Sequence, residues 1–192
     1  THYNTAHDRT KFEVSAHKWA DLSEGNYGVT LLNDCKYGYD IKENRMRITL
    51  LRSPIDPDPT ADKGHHEFVY SLRPHAGSWV ASKAVQAGYE LNVPLWPLFC
   101  ADAQEKGSLP KALSYFTCSH SNVILDTVKC AEDCSGIIVR FYESSGTKTN
   151  VQLQTALPFS RVSECNLVEE EEQNIPAKGN SFAFTIKPFE IK

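Results

Sequence analysis

The sequence contains no apolar run long enough to cross a membrane, so no helical anchor is read in it. It contains no Asn-x-Ser/Thr sequon, and its start, THYNTAHDRTKFEV, has no basic head followed by an apolar stretch. The expectation is a chain without a secretory signal, begun without Met as a fragment would be. An excess of one charge is also missing. A net charge of −4 over 192 residues supplies no electrostatic footprint, which excludes nucleic acid and membrane as partners. Disulfide staples are not required either, since a compact chain of this length buries roughly 70% of its unfolded surface. With no sequon present, Cys35, Cys100, Cys118, Cys130, Cys134 and Cys165 are expected to be reduced, in the cytoplasm.

What is present reads as β structure. Runs rich in Val, Ile, Thr, Phe and Tyr at 11–21, 28–33, 45–52, 66–74, 89–94, 122–130, 136–144, 149–157, 161–168 and 181–191 are broken by Gly, Asn, Asp and Pro clusters. Only Ser78–Ala87 reads as helix. The fold class is therefore all-β, built from antiparallel β-sandwiches. Pro94–Ala112 holds three of the ten prolines and little periodicity, which puts a domain boundary there. The prolines of Arg52–His65 make a long loop, and the run Glu169–Glu172 reads as a solvated turn.

Chemistry concentrates in Lys11–Asp40. With a two-residue period, Phe12, Val14 and Ala16 share one face, while Glu13, His17, Trp19 and Asp21 share the other. An indole beside hydrogen-bonding groups suits a sugar, which has an apolar ring face and a hydroxyl rim; a half-exposed strand explains the same pattern. The turn Asn33, Asp34, Cys35, Lys36, Tyr37, Gly38 packs donors, acceptors and an aromatic ring behind an apolar run. It reads either as a binding rim or as a structural turn in which Gly38 supplies an unusual backbone angle.

Other constellations carry less. Cys118, His120, Cys130 and Cys134 could hold zinc, but Cys-x-His with Cys-x3-Cys is not a usual structural spacing, and buried free thiols explain them as well. His65, His66, Glu67 and Asp62 invite a metal, yet neighbouring His residues on a strand point to opposite faces. The pairs Asp34 with Asp40 and Asp56 with Asp58 read as turn formers rather than as acid and base.

FEVSAHKWADLSE with YGVTLLNDCKYGYD resembles the C-terminal β region of glycoside hydrolase family 38 α-mannosidases, of the cytosolic or neutral class and its microbial relatives. The resemblance continues through LLRSPIDPDPTADKGHHEFVYSLRPHAG, YELNVPL, IVRFYESSG and KPFEIK, nearly the whole chain in order. It implies that 1–97 is the later part of a large galactose-mutarotase-like supersandwich and 98–192 a small C-terminal β-sandwich. It implies a parent enzyme that hydrolyses terminal α-linked mannose from oligosaccharides with retention, through two carboxylates and a divalent metal, zinc by expectation. Those catalytic and metal residues belong to an N-terminal domain that this chain would contact. None is read here, so the isolated chain is expected to be inactive and to need no cofactor of its own. Asn33, Asp34, Lys36, Tyr37 and Arg52 are the expected substrate-cleft rim; the resemblance implies Arg52 because other family branches end a strand there in an Arg-Arg pair that reaches the sugar site, although LLRSP has a single Arg. The alternative is a stand-alone carbohydrate-binding or interaction sandwich.

Overall fold

The computed structural model describes Ala6, Thr10, residues 12–99 and residues 110–192. Lys11 and Cys100, named above, lie outside the described residues, as does most of the Pro94–Ala112 stretch. The chain divides into two compact units, Thr1–Leu98 and Phe99–Lys192.

The first unit stacks two antiparallel sheets. One has the order β2 (Trp19–Glu24), β3 (Tyr27–Asn33), β6 (Tyr70–Ala76). The other has β1 (Val14–Ser15), β4 (Gly38–Lys42), β5 (Arg45–Ile48). Ala20, Leu31 and Tyr39 are buried between them, with Val14, Ala16, Ile41, Met46 and Ile48 packed around. The expected strand 11–21 is thus two strands. Lys18, at φ 67° in the left-handed region, breaks the alternation and passes the chain from one sheet to the other. The expected strand 66–74 is shifted to Tyr70–Ala76, and 45–52 ends at Ile48.

The opposite face of β2 and β3 carries the helix α1 (Ala84–Asn92). It replaces the helix expected over 78–87, beginning later than Ser78 and overwriting the expected strand 89–94. Its buried residues Ala84, Val85, Ala87 and Gly88 follow helical spacing. Gly88 fits because a Cβ there would stand 3.1 Å from Trp19 Cδ1 and 3.3 Å from Lys18 Cβ. Asn92 Nδ2 then donates to Gly88 O at 2.8 Å and to Asn33 O at 3.0 Å. These tertiary contacts override the strand-like alternation of YELNV.

In the second unit β7 (Phe116–Cys118), β10 (Thr149–Thr155), β13 (Ala177–Lys178) and β14 (Ser181–Ile186) form a sheet of order β13-β14-β10-β7. The hairpin β8 (Val123–Cys130) with β9 (Ile137–Glu143) supplies the other side of the core, and β11 (Ser163–Cys165) pairs with β12 (Glu171–Asn174). Thr149, Val151, Leu153 and Thr155 of β10 point inward in strict alternation. Val151, Leu153 and Ile186 bury against Val123 and Phe141, as in a sandwich.

The expected strand 181–191 stops at Ile186. Phe189 turns the chain at φ 57°, and Ile191 bridges across to Tyr142. Phe141 and Lys192 exchange backbone bonds, N to O, at 2.6 and 2.9 Å. The run Glu169–Glu172 is only half a turn, since Glu171 and Glu172 belong to β12 and Glu169 pairs with Lys129 Nζ at 2.7 Å. Cys35, Cys130 and Cys134 are exposed, and Cys118 and Cys165 half-buried; all five are free thiols, so the expectation of buried thiols is corrected.

Candidate functional site

In the first unit a groove of about 870 Å³ opens between the start of β1, the turn before β4 and the chain leaving β5. Lys36, Tyr37 and Arg52 line it together, with Glu13, Asp62 and His66. The turn is set by the adjacent sheet: Ala16 N donates to Tyr37 O at 3.0 Å and Thr49 N to Gly38 O at 2.9 Å. No left-handed residue among those described falls between Asn33 and Gly38, so the unusual angle expected of Gly38 is corrected. Gly38 serves close approach instead, since a Cβ there would lie 3.3 Å from Thr49 Cβ.

Two of the five expected rim residues do not face the groove. Asn33 is buried beneath it, donating from Nδ2 to Tyr39 Oη and accepting Lys36 N on Oδ1 at 2.7 Å. Asp34 points toward the lead into β6, accepting Val69 N on Oδ1 at 3.1 Å. The Cys35 thiol and the Val69 amide hold the Asp34 carboxyl below the usual carboxylate range. These residues anchor the turn while the next ones project from it.

Tyr37 is 51% exposed and meets the His17 ring edge-on, with centroids 4.8 Å apart. Lys36 Nζ lies 5.0 Å from the centre of the Phe68 ring. Across the groove, Asp62 Oδ2 accepts Ser53 N at 2.8 Å and Arg52 N at 3.3 Å. Those amides, helped by His66 and Lys36, keep the Asp62 carboxyl ionised below its ordinary range. Asp62 therefore fixes the backbone that carries Arg52. Glu13 accepts the Thr49 hydroxyl. The groove thus offers an exposed aromatic ring, two cations and two carboxylates, a set suited to a polyhydroxylated ring.

The plate expected of Trp19 is not available for this. It stacks on Trp79 at 5.3 Å, 29° from parallel, and packs against α1. Asp21, read as a polar outer-face residue, is sealed in. Its carboxylate accepts Ser23 Oγ, Thr30 Oγ1 at 2.6 Å and His75 Nε2 at 2.7 Å, and the Asp21 and His75 side chains are 4% and 5% exposed. The ring lies over Gly28, where a Cβ would come 2.5 Å from His75 Cε1. His75 Nδ1 is buried without a hydrogen bond, so the arrangement assigns the proton to Nε2.

The remaining constellations are structural. Asp40 pairs with Arg47 at 2.8 Å, and Asp58 accepts Thr60 N and Oγ1 at 2.8 and 2.7 Å, within a turn. His66 Nε2 is engaged by Asp62 O at 2.8 Å. Among the described residues no three His, Cys, Asp or Glu side chains converge as metal donors, the groups around His66 and Cys118 included.

Two family profiles match the chain. The glycosyl hydrolases family 38 C-terminal domain covers residues 1–60, and the glycosyl hydrolases family 38 C-terminal β-sandwich domain covers residues 122–192. Alpha-mannosidase G of Dictyostelium discoideum is 42% identical over the whole chain, which spans 18% of that protein. Alpha-mannosidase 2C1 of Homo sapiens is 39% identical and an alpha-mannosidase of Saccharomyces cerevisiae 36%, spanned to 18% and 19% of their lengths. Among solved structures, an α-mannosidase from Enterococcus faecalis superposes with a TM-score of 0.72 at 21% identity, over 93% of this chain and 20% of that one.

Proposed function

Because the chain belongs to glycoside hydrolase family 38, as its C-terminal β region, we propose that it works inside a retaining α-mannosidase, supporting and partly rimming the cleft in which terminal α-linked mannose is removed from oligosaccharides. The observation that carries this is the groove in which Lys36, Tyr37 and Arg52 converge although Arg52 comes from a separate loop. In this reading the Tyr37 ring lies against the apolar face of a sugar, Arg52 and Lys36 donate to hydroxyls, and Glu13 and Asp62 accept from them. The nucleophile, the acid/base carboxylate and the divalent metal are contributed by an N-terminal catalytic portion. Bound there, the metal would orient sugar hydroxyls; the part played by this chain is positioning. Residues 1–97 are the later part of the supersandwich and 98–192 the terminal sandwich. The cytoplasm is the compartment, supported by five thiols left free.

The test is kinetic. In the full-length enzyme, Tyr37→Ala and Arg52→Ala should each lower kcat/KM on an aryl α-mannoside about tenfold, ~1.4 kcal/mol of transition-state binding. Melting temperature should stay put, since both side chains are exposed. Unchanged kinetics in both variants would reduce the groove to scaffold. A full-length protein that fails to hydrolyse the mannoside at all would overturn the wider reading.

A further inference from the structure

Among the described residues, the sheet β2-β3-β6 has one face only half covered. Leu31 and Leu72 are direct cross-strand partners on that face, one strand spacing apart, roughly 4.8 Å. Yet Leu31 is 5% exposed, beneath Tyr39 of the second sheet, and Leu72 is 64% exposed. The upper layer of β1, β4 and β5 therefore runs out above β3. Tyr70 and Pro74 continue the bare strip along β6, and Tyr27 extends it at the β3 end; all three are exposed. No charged residue interrupts the strip along β6, since Arg73 and His75 point to the opposite face.

An uncharged aromatic and aliphatic strip of this kind is unusual on a surface that meets only water. The chain spans about a fifth of the relatives it matches over its whole length, so most of such a protein lies outside these residues. β6 is also the edge strand of its sheet, but Pro74 has no amide hydrogen and interrupts the ladder that a strand added to that edge would need. Coverage from above avoids this obstacle. We infer that the bare strip of Tyr27, Tyr70, Leu72 and Pro74 is the seat of a further apolar β-strand from the remainder of the same polypeptide, which continues the upper layer over β6. The inference rests on the reading that the chain works within a longer mannosidase. It adds where the two parts join: an apolar strand lies on Leu72, and the Tyr27 and Tyr70 hydroxyls reach polar groups at its margins.

Photo-crosslinking in the full-length enzyme tests it. p-Azidophenylalanine replaces Tyr70, the protein is irradiated as a mixture of light and heavy isotopic forms, and the joined peptides are mapped. The expected result is a crosslink, within one polypeptide, to an apolar segment outside residues 1–192. Crosslinks to residues 99–192, crosslinks between light and heavy copies, or labelling by solvent alone would each overturn the inference. Hydrolysis of an aryl α-mannoside by the same preparation separates the two ideas, because an active enzyme without the expected crosslink refutes the seat and leaves the functional reading intact.

Discussion

Glu143→Ala is expected to lower the stability of the second unit by more than 3 kcal/mol, measured by urea unfolding at neutral pH. The carboxylate is 1% exposed at the end of β9. It accepts Asn122 Nδ2 and Ser145 N, both at 2.8 Å, Ser145 Oγ at 2.6 Å, Gly146 N at 2.7 Å, and Thr147 N and Phe189 N, both at 3.1 Å. Each buried donor left without an acceptor costs about 1–3 kcal/mol, so the loss of several exceeds the effect of most point substitutions.

The same group gives the unit an acid limit. Burial alone would push its carboxyl up, but the donors from Ser145, Phe189 and Asn122 outweigh burial and hold it at about 2, below the ordinary 4.5. A folded value below the unfolded one means that the carboxylate stabilises the fold in full above about pH 4.5, and that this contribution, about 3 kcal/mol, is lost as pH falls toward 2. Glu143→Gln should flatten the stability profile across that window. Parallel profiles for the two proteins would show that the hub does not control acid unfolding.

Asp21→Ala is expected to be comparably severe in the first unit, at about 2–6 kcal/mol, because it leaves two buried donors, the His75 ring N–H and the fully buried Thr30 hydroxyl, without an acceptor, each costing about 1–3 kcal/mol. The contact is diagonal across β3: Asp21 faces Thr30, and His75 faces Gly28. His75→Ala alone leaves the carboxylate its two hydroxyl donors and should cost less. In a double-mutant cycle the combined variant should fall short of the sum of the single losses by about 1–3 kcal/mol. Strict additivity would mean that the two side chains are held by their other neighbours.

Asp21 and Glu143 also mark what the sequence could not disclose. The partners of Asp21 lie on β2, β3 and β6, and His75 is distant from it along the chain; no local spacing announces such a meeting. Glu143 reads as one more carboxylate before a turn, and only the return of Phe189 completes its donor set. By contrast, β10 is legible because its alternation over seven residues with one buried face propagates along the strand itself, and β3, β8 and β9 because their β-branched and aromatic runs are bounded by turn residues. The short pieces β7, β12 and β13 lack that length, and α1 was displaced because Trp19 and Asn33, far upstream, select its position. At the groove, the composition of the turn pointed to Lys36 and Tyr37, while the roles of Asp62 and Glu13 depend on a loop and a strand entry that only the fold brings near.

The closing of the last residues on β9 bears on synthesis. Phe141 is bonded in both directions to Lys192, Glu143 N to Glu190 O, and the Lys192 ammonium to Glu164. A chain made from its N-terminus at roughly 5–20 residues per second presents β9 well before these partners exist. The second unit therefore reaches its final hydrogen-bonding pattern only after residue 192 has left the ribosome. Until then the outer edge of β9 stays unpaired along the bonds that Phe141 and Glu143 later make.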